Sequence, residues 1–184
     1  MTTKGERTKQ HIIEQSIKLF SKNSFQNVTM RQIAQAAGIS PALIYKYFST
    51  QEDLYYATMQ QASQELLALL APTTTLEQFV QTYLQHMFTS EVLFEIMTYF
   101  TLDQDHSKNA LPISNEITLF LQLLEKKIAG QHAKIEAQLL FSTLNGLIIS
   151  YKKIPNREGE STLEAIQKLA QYYVQHLKER IEKR

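Results

Sequence analysis

Residues 28–54 read VTMRQIAQAAGISPALIYKYFSTQEDL. Thr29 followed three positions on by Gln32 is a capping box, in which each side chain serves the other residue's backbone N–H. It starts a short helix whose Ile33, Ala36 and Ala37 face inward. Gly38 supplies the left-handed backbone step that stops a helix without a Cβ penalty, and Ile39 fills the corner. Ser40-Pro41 is the next start, an N-cap followed by proline at the first helical position, where the missing N–H costs nothing. This second helix runs to about Tyr47, and Ser49 to Asp53 opens another, with acids in its first turn to match the dipole. Ala34, Ala37 and Gly38 are small enough for the two short helices to cross closely, and Ile33, Ile39 and Ile44 fill the space between them. The result is a helix-turn-helix pattern whose second helix is short enough to lie in a DNA major groove, about 12 Å wide. An ordinary helical corner has the same local pattern, so the surroundings must decide.

Upstream, Ile12, Ile13, Ser16, Ile17 and Phe20 keep one face of a helix over residues 8–22, ended by Asn23-Ser24. Downstream, Leu54, Tyr55, Met59, Ala62, Leu66 and Leu69 mark a long helix broken by Pro72. Leu76, Phe79, Val80, Tyr83, Leu84, Met87 and Phe88 mark a strongly amphipathic one, and Val92, Leu93, Ile96, Met97 and Phe100 another. Residues 102–112 read as the longest polar loop. Ile117, Phe120, Leu121, Leu124 and Ile128 mark a helix ending near Gly130, residues 132–153 are apolar or small on nearly every face, and Ser161 with Glu164 caps the last helix. The expectation is an all-α fold of about nine helices. A helix-turn-helix unit over residues 1–49 precedes a helical body over residues 50–184.

Composition agrees. The 184 residues are 43% hydrophobic and 20% charged, enough apolar material for a packed core, with five glycines and four prolines, too few for a many-stranded chain. Without cysteine, disulfide frameworks, Cys-based zinc sites and thiol catalysis are excluded together. The longest pure apolar run, Leu66 to Ala71, is far short of a membrane span, and no apolar signal segment follows Met1, so a soluble cytoplasmic protein is expected. The net charge of +1 hides an asymmetry. Residues 1–56 carry seven Lys and Arg against four Asp and Glu, while the remainder carries 12 against 14. A basic module on a slightly acidic body suits a phosphate backbone.

Residues 8–56 resemble the N-terminal DNA-binding domain of the tetracycline-repressor (TetR) family of bacterial regulators. The resemblance lies in Leu19-Phe20 at the end of the first helix, Thr29-Met30-Arg31-Gln32-Ile33-Ala34, the turn Ala37-Gly38-Ile39-Ser40, Ile44-Tyr45-Lys46-Tyr47-Phe48, and Glu52-Asp53-Leu54. Ser24 stands where the family has a turn glycine, Tyr47 where a histidine is common, and Gln51 where a phosphate-binding lysine is usual. The resemblance implies that Thr29 caps the second helix beside a phosphate, and that the Arg31 fork is suited to a guanine edge. It implies that Ser40, Pro41, Ala42 and Leu43 touch base edges or thymine methyls. Tyr45, Lys46 and Tyr47 then reach phosphates, or Lys46 a base instead, with Lys4, Arg7 and Lys9 adding contacts from an N-terminal arm. Ile44 and Phe48 belong to the core.

One recognition helix reads too few bases, so a homodimer on palindromic double-stranded DNA is expected. Leu140, Phe141, Leu144, Leu147, Ile148 and Tyr151 serve the core, whereas Leu139, Thr143, Gly146 and Ser150 leave room for a partner helix. Ile166, Leu169, Tyr172, Tyr173 and His176 extend that face on the last helix, for a four-helix interface of the kind the family resemblance implies. In the body, Met59, Phe79, Tyr83, Met87, Met97, Phe100, Phe120 and Phe141 form either plain core or the lining of a cavity for a small-molecule effector. Because Glu91 and Glu95 read as solvated, the effector is expected to be apolar or amphiphilic. The resemblance implies a repressor that the effector releases. No cofactor, metal or enzymatic activity is expected: no phosphate-cradling glycine loop, Gly-x-Ser-x-Gly elbow or His-Glu-x-x-His is present, and the five histidines never fall at ligand spacing. The competing reading is a helical adaptor that does not bind DNA.

Overall fold

The computed structural model describes residues 3–23, 27–95, 114–152 and 161–182. Among them every regular element is helical: α1 (Lys4–Phe20), α2 (Met30–Ala36), α3 (Pro41–Tyr47), α4 (Gln51–Leu70), α5 (Leu76–Thr89), α6 (Ser114–Glu125), α7 (Ala133–Tyr151) and α8 (Thr162–Glu182), with residues 91–95 also helical. Ser24, Ile96, Met97, Phe100 and the expected loops over 102–112 and 155–159 lie outside the described residues.

The helix starts follow local chemistry. Thr29–Gln32, Thr50–Asp53 and Thr75–Gln78 are reciprocal capping boxes, and Ser161 and Glu164 bond each other's backbone N–H in the same way. Ser40 Oγ accepts from the Leu43 N–H ahead of Pro41. One start differs from expectation. Thr3 and Glu6 form a further capping box, so α1 begins at Lys4 rather than near residue 8. Lys4, Arg7 and Lys9 therefore ride on a helix instead of an extended arm. Apolar periodicity missed this turn because residues 4–11 contain no apolar side chain. At the other end of the body, α6 stops at Glu125, a turn follows, and Gly130 takes φ +103.

The N-terminal unit packs α1 against α2 and α4, with α2 against α3. Ile12, Phe20, Ile33, Ile44 and Leu54 are fully buried there, and the Phe20 and Tyr55 rings meet edge-on at 5.0 Å. In the body α4 contacts α5 and α6, α5 contacts α7 and α8, and α7 contacts both α6 and α8. Helix α4 thus belongs to both cores: Leu54 and Tyr55 face α1, while Met59, Ala62, Leu66 and Leu70 continue the same buried stripe.

Candidate nucleic-acid interface

The turn between α2 and α3 is built on Gly38 at φ +65, where an added Cβ would meet nothing within 4 Å. Glycine is needed for the backbone conformation alone. Behind the turn, Ile33, Ala34 and Ile44 are fully buried, and Phe48 ends α3 inside the core. With Ile44 inward, Ala42, Tyr45 and Lys46 fall on the opposite side of α3 and are exposed, Tyr45 by 54%, and Pro41 is exposed at the first position of the helix. Ser40 is exposed at the N-cap and Leu43 is half-buried. Arg31, in the first turn of α2, is exposed.

Three predicted contact residues also have partners within the protein. The Thr29 hydroxyl is engaged inside its own capping box, accepting from the Gln32 N–H at 3.3 Å and donating to Gln32 Oε1 at 2.9 Å. Tyr47 is half-buried and packs against the core, with its hydroxyl 3.9 Å from where a Cβ on Gly5 of α1 would stand. It does not stand out with Tyr45 and Lys46, because three residues after Ile44 returns the chain to the inner face. Lys9 lies with its Nζ 5.5 Å from the Phe48 ring centroid, a cation–π contact joining α1 to the end of α3. These contacts set the first turns of α1, which carry Lys4 and Arg7, beside the C-terminus of α3.

Gln51, which lacks the usual lysine's charge, does structural work. Its Nε2 donates to the Val28 carbonyl at 2.7 Å, tying the first residue of α4 to the residue that precedes the α2 cap. Sequence reasoning missed this tie because its partners lie 23 positions apart.

In the body, Met59, Phe79, Tyr83, Met87 and Phe120 are buried and Phe141 is half-buried. Phe120 is the hub, with ring centroids 5.2 Å from Phe79, 5.0 Å from Tyr83 and 5.1 Å from Phe141. The Tyr83 hydroxyl donates to Asn145 Oδ1 on α7, and burial pushes its pKa well above the ordinary tyrosine value. Glu91 keeps 37% of its side chain exposed but is not left to water alone as expected. It pairs at 3.2 Å with Lys152, whose side chain is almost fully buried and whose Nζ lies 4.5 Å from the Phe94 centroid. The pairing is invisible locally because the two residues are 61 positions apart in the chain (152 against 91).

The outer faces of α7 and α8 carry an apolar strip. Leu139 is 50% exposed, Leu169 45% and Tyr172 65%; Gly146, Ser150 and His176 are exposed and Thr143 is partly so. Ile135 and Ile149 extend this exposed set and were not anticipated. Ile166 was expected on the strip but is fully buried in the protomer, and Tyr173 packs against the same core. Both share a helical face with Ala170 and Leu177, which are buried too. Tyr151, expected in the core, is 41% exposed.

Residues 12–58 match the family profile described as bacterial regulatory proteins, tetR family. The HTH-type transcriptional regulator HbdR of Aromatoleum sp. (strain CIB) is 36% identical over 55 residues, 30% of this chain and 24% of its own. The HTH-type transcriptional regulator UidR of Escherichia coli (strain K12) is 31% identical over 68 residues, 37% of this chain and 35% of its own. The matched segments thus span about a quarter to a third of these relatives. The fold is similar over almost its whole length to that of a protein from Mesorhizobium loti MAFF303099 described as a TetR-family transcriptional regulator, with a TM-score of 0.73 at 16% identity and 96% and 97% of the two chains covered. A transcriptional regulator from Saccharomonospora viridis, solved in complex with choline, gives a TM-score of 0.68 at 17% identity, covering 92% of this chain and 96% of its own.

Proposed function

We propose, from the premise that this chain carries at residues 12–58 the helix-turn-helix domain of the tetracycline-repressor (TetR) family, that it is a DNA-binding transcriptional regulator. In this reading a homodimer binds a palindromic operator in the cytoplasm and acts as a repressor released by a small apolar or amphiphilic effector. No described helix is long and apolar enough to cross a membrane. The division into a DNA-binding unit over residues 1–49 and a ligand-binding and dimerisation body over 50–184 belongs to the same reading.

The observation that carries it is the outward face of α3. Pro41, Ala42, Tyr45 and Lys46 are exposed together while Ile44 and Phe48 hold the helix from behind. Arg31 and Lys46 supply the charge, the first to a base edge and the second to phosphate or base. Two copies related by a two-fold axis along α7 and α8 would set two α3 helices about 34–36 Å apart, or a multiple of that, on one duplex. The exposed strip of Leu139, Leu169 and Tyr172 supports that pairing. A regulator of this fold solved with choline supports a body that holds small molecules. Effector and operator then compete through α4, which packs in both cores. Coupling of about 1–3 kcal/mol changes operator affinity roughly 5–150-fold.

The test is a gel shift with a palindrome taken from beside the protein's own coding region, with the mass of the free protein measured by sedimentation. The reading predicts a dimer, a salt-dependent shift, and a weakened shift in Arg31→Ala and in Lys46→Ala. A chain that stays monomeric, or that leaves duplex DNA unshifted in dilute salt, overturns it in favour of a helical adaptor.

A further inference from the structure

Among the described residues, Glu116 is the one charged residue buried as a whole, at 7% exposure. It sits in the first turn of α6 and faces α4. Its Oε1 accepts from Gln60 Nε2 at 3.2 Å and from Gln64 Nε2 at 3.5 Å, two amides one turn apart on α4. Its Oε2 is buried with no hydrogen-bond partner. The ion pairs Glu91–Lys152, Glu77–Lys178 and Glu136–Arg180 leave it out. A carboxylate oxygen buried without a donor is costly, and folded proteins rarely keep one that serves only packing.

We propose that Glu116 anchors a ligand bearing one cationic group with N–H donors, an ammonium or amidinium, on an apolar body. The inference rests on the reading of the body as an effector domain and narrows that effector's chemistry. The missing partner of Oε2 is a donor, and the uncompensated charge is negative. A neutral donor supplies the first but not the second; an N–H cation supplies both. The apolar body follows from register. Phe120 is four residues after Glu116, on the same face of α6, and is the hub of the Phe79, Tyr83 and Phe141 rings. A cation held at Glu116 directs its tail along that aromatic cluster. Gln60 and Gln64 are exposed, so their amides can turn to solvent as the ligand enters. The carboxylate then exchanges α4 donors for ligand donors, loosening the α4–α6 contact on the helix that leads into the DNA-binding unit.

Isothermal titration with four matched probes tests this: hexylammonium, hexyltrimethylammonium, hexanol and hexanoate. Hexylammonium is expected to bind at least about tenfold more tightly than the other three. Glu116→Gln keeps an oxygen for Gln60 and removes the charge, and is expected to abolish that preference while hexanol binding stays unchanged. Hexylammonium is also expected to weaken the gel shift of the wild type by about fivefold or more. Equal affinity for hexylammonium and hexanol, for the two ammonium probes, or in wild type and variant overturns the assignment. The wild-type panel decides by itself if the variant does not fold. A chain that shifts the palindrome but shows no ammonium preference loses this site and keeps the regulator reading; one that prefers ammonium but shifts no DNA does the reverse.

Discussion

Single side chains at the α2–α4 junction separate contact from support. Tyr45 is exposed and Tyr47 packs inward, so Tyr47→Phe is expected to leave operator affinity within about twofold, whereas Tyr45→Ala weakens it; a fluorescence-anisotropy titration distinguishes the two. Arg31→Ala is expected to cost about 1–3 kcal/mol and to relax discrimination at one base pair, while Lys46→Ala weakens all duplexes alike and lowers the salt slope by about one. Gln51→Met strips the Val28 carbonyl of its side-chain donor, and a thermal melt is expected to show a loss of about 1 kcal/mol. His86 gives a pH signature. Burial lowers its pKa below the ordinary histidine value, with the Glu65 charge pulling the other way. The unfolded chain therefore takes up the proton first. Stability from this group is present above about pH 6.5 and is lost as the pH falls through the folded-state value. Between about pH 7.5 and pH 5.5, the wild-type Tm is expected to drop further than that of His86→Gln.

At the scale of elements, the α2–α3 turn depends on a single backbone conformation. Gly38 has open space where a Cβ would be added, so Gly38→Ala isolates the cost of φ +65. The expected destabilisation is about 1 kcal/mol, and Gly38→Asn is expected to lose less, since asparagine tolerates the left-handed region. Chemical denaturation of both variants checks the order. Helix α1 is likewise set by its Thr3–Glu6 box, which places Lys4 and Arg7 on a rigid rod beside the end of α3. Hydrogen exchange is expected to protect the amides of residues 8–12 in the free protein; rapid exchange there would return the segment to an extended arm.

At the scale of the whole molecule the proposed regulator needs two copies, because one α3 would read only a single half-site. The strip on α7 and α8 leaves Leu139 and Leu169 about half exposed in the protomer, so in the proposed dimer a charge there would harm pairing more than folding. Leu139→Glu combined with Leu169→Glu is expected to sediment as a monomer with unchanged far-ultraviolet circular dichroism and to lose the palindrome shift. Ile166→Glu is expected instead to unfold the protomer, since that side chain is fully buried. The contrast between the two faces of α8 tests the placement directly.

Local rules were enough for the helix-turn-helix. Capping boxes, Ser40-Pro41 and Gly38 act within four residues, so the starts of α2, α3 and α4 were legible from the chain alone. The inner face of α3 was legible from the position of Ile44, and the aromatic core of the body from helical spacing. Hydrogen bonds and ion pairs between distant segments were not. Gln51 with Val28, Glu91 with Lys152, Tyr83 with Asn145 and Glu116 with Gln60 join residues that carry no mark of one another in the sequence. Periodicity identifies an apolar face but does not say what covers it. Only the packing of α5, α7 and α8 showed that Ile166 points into the protomer while Leu169 and Tyr172 point away, because burial belongs to the neighbours a helix meets and not to the helix itself.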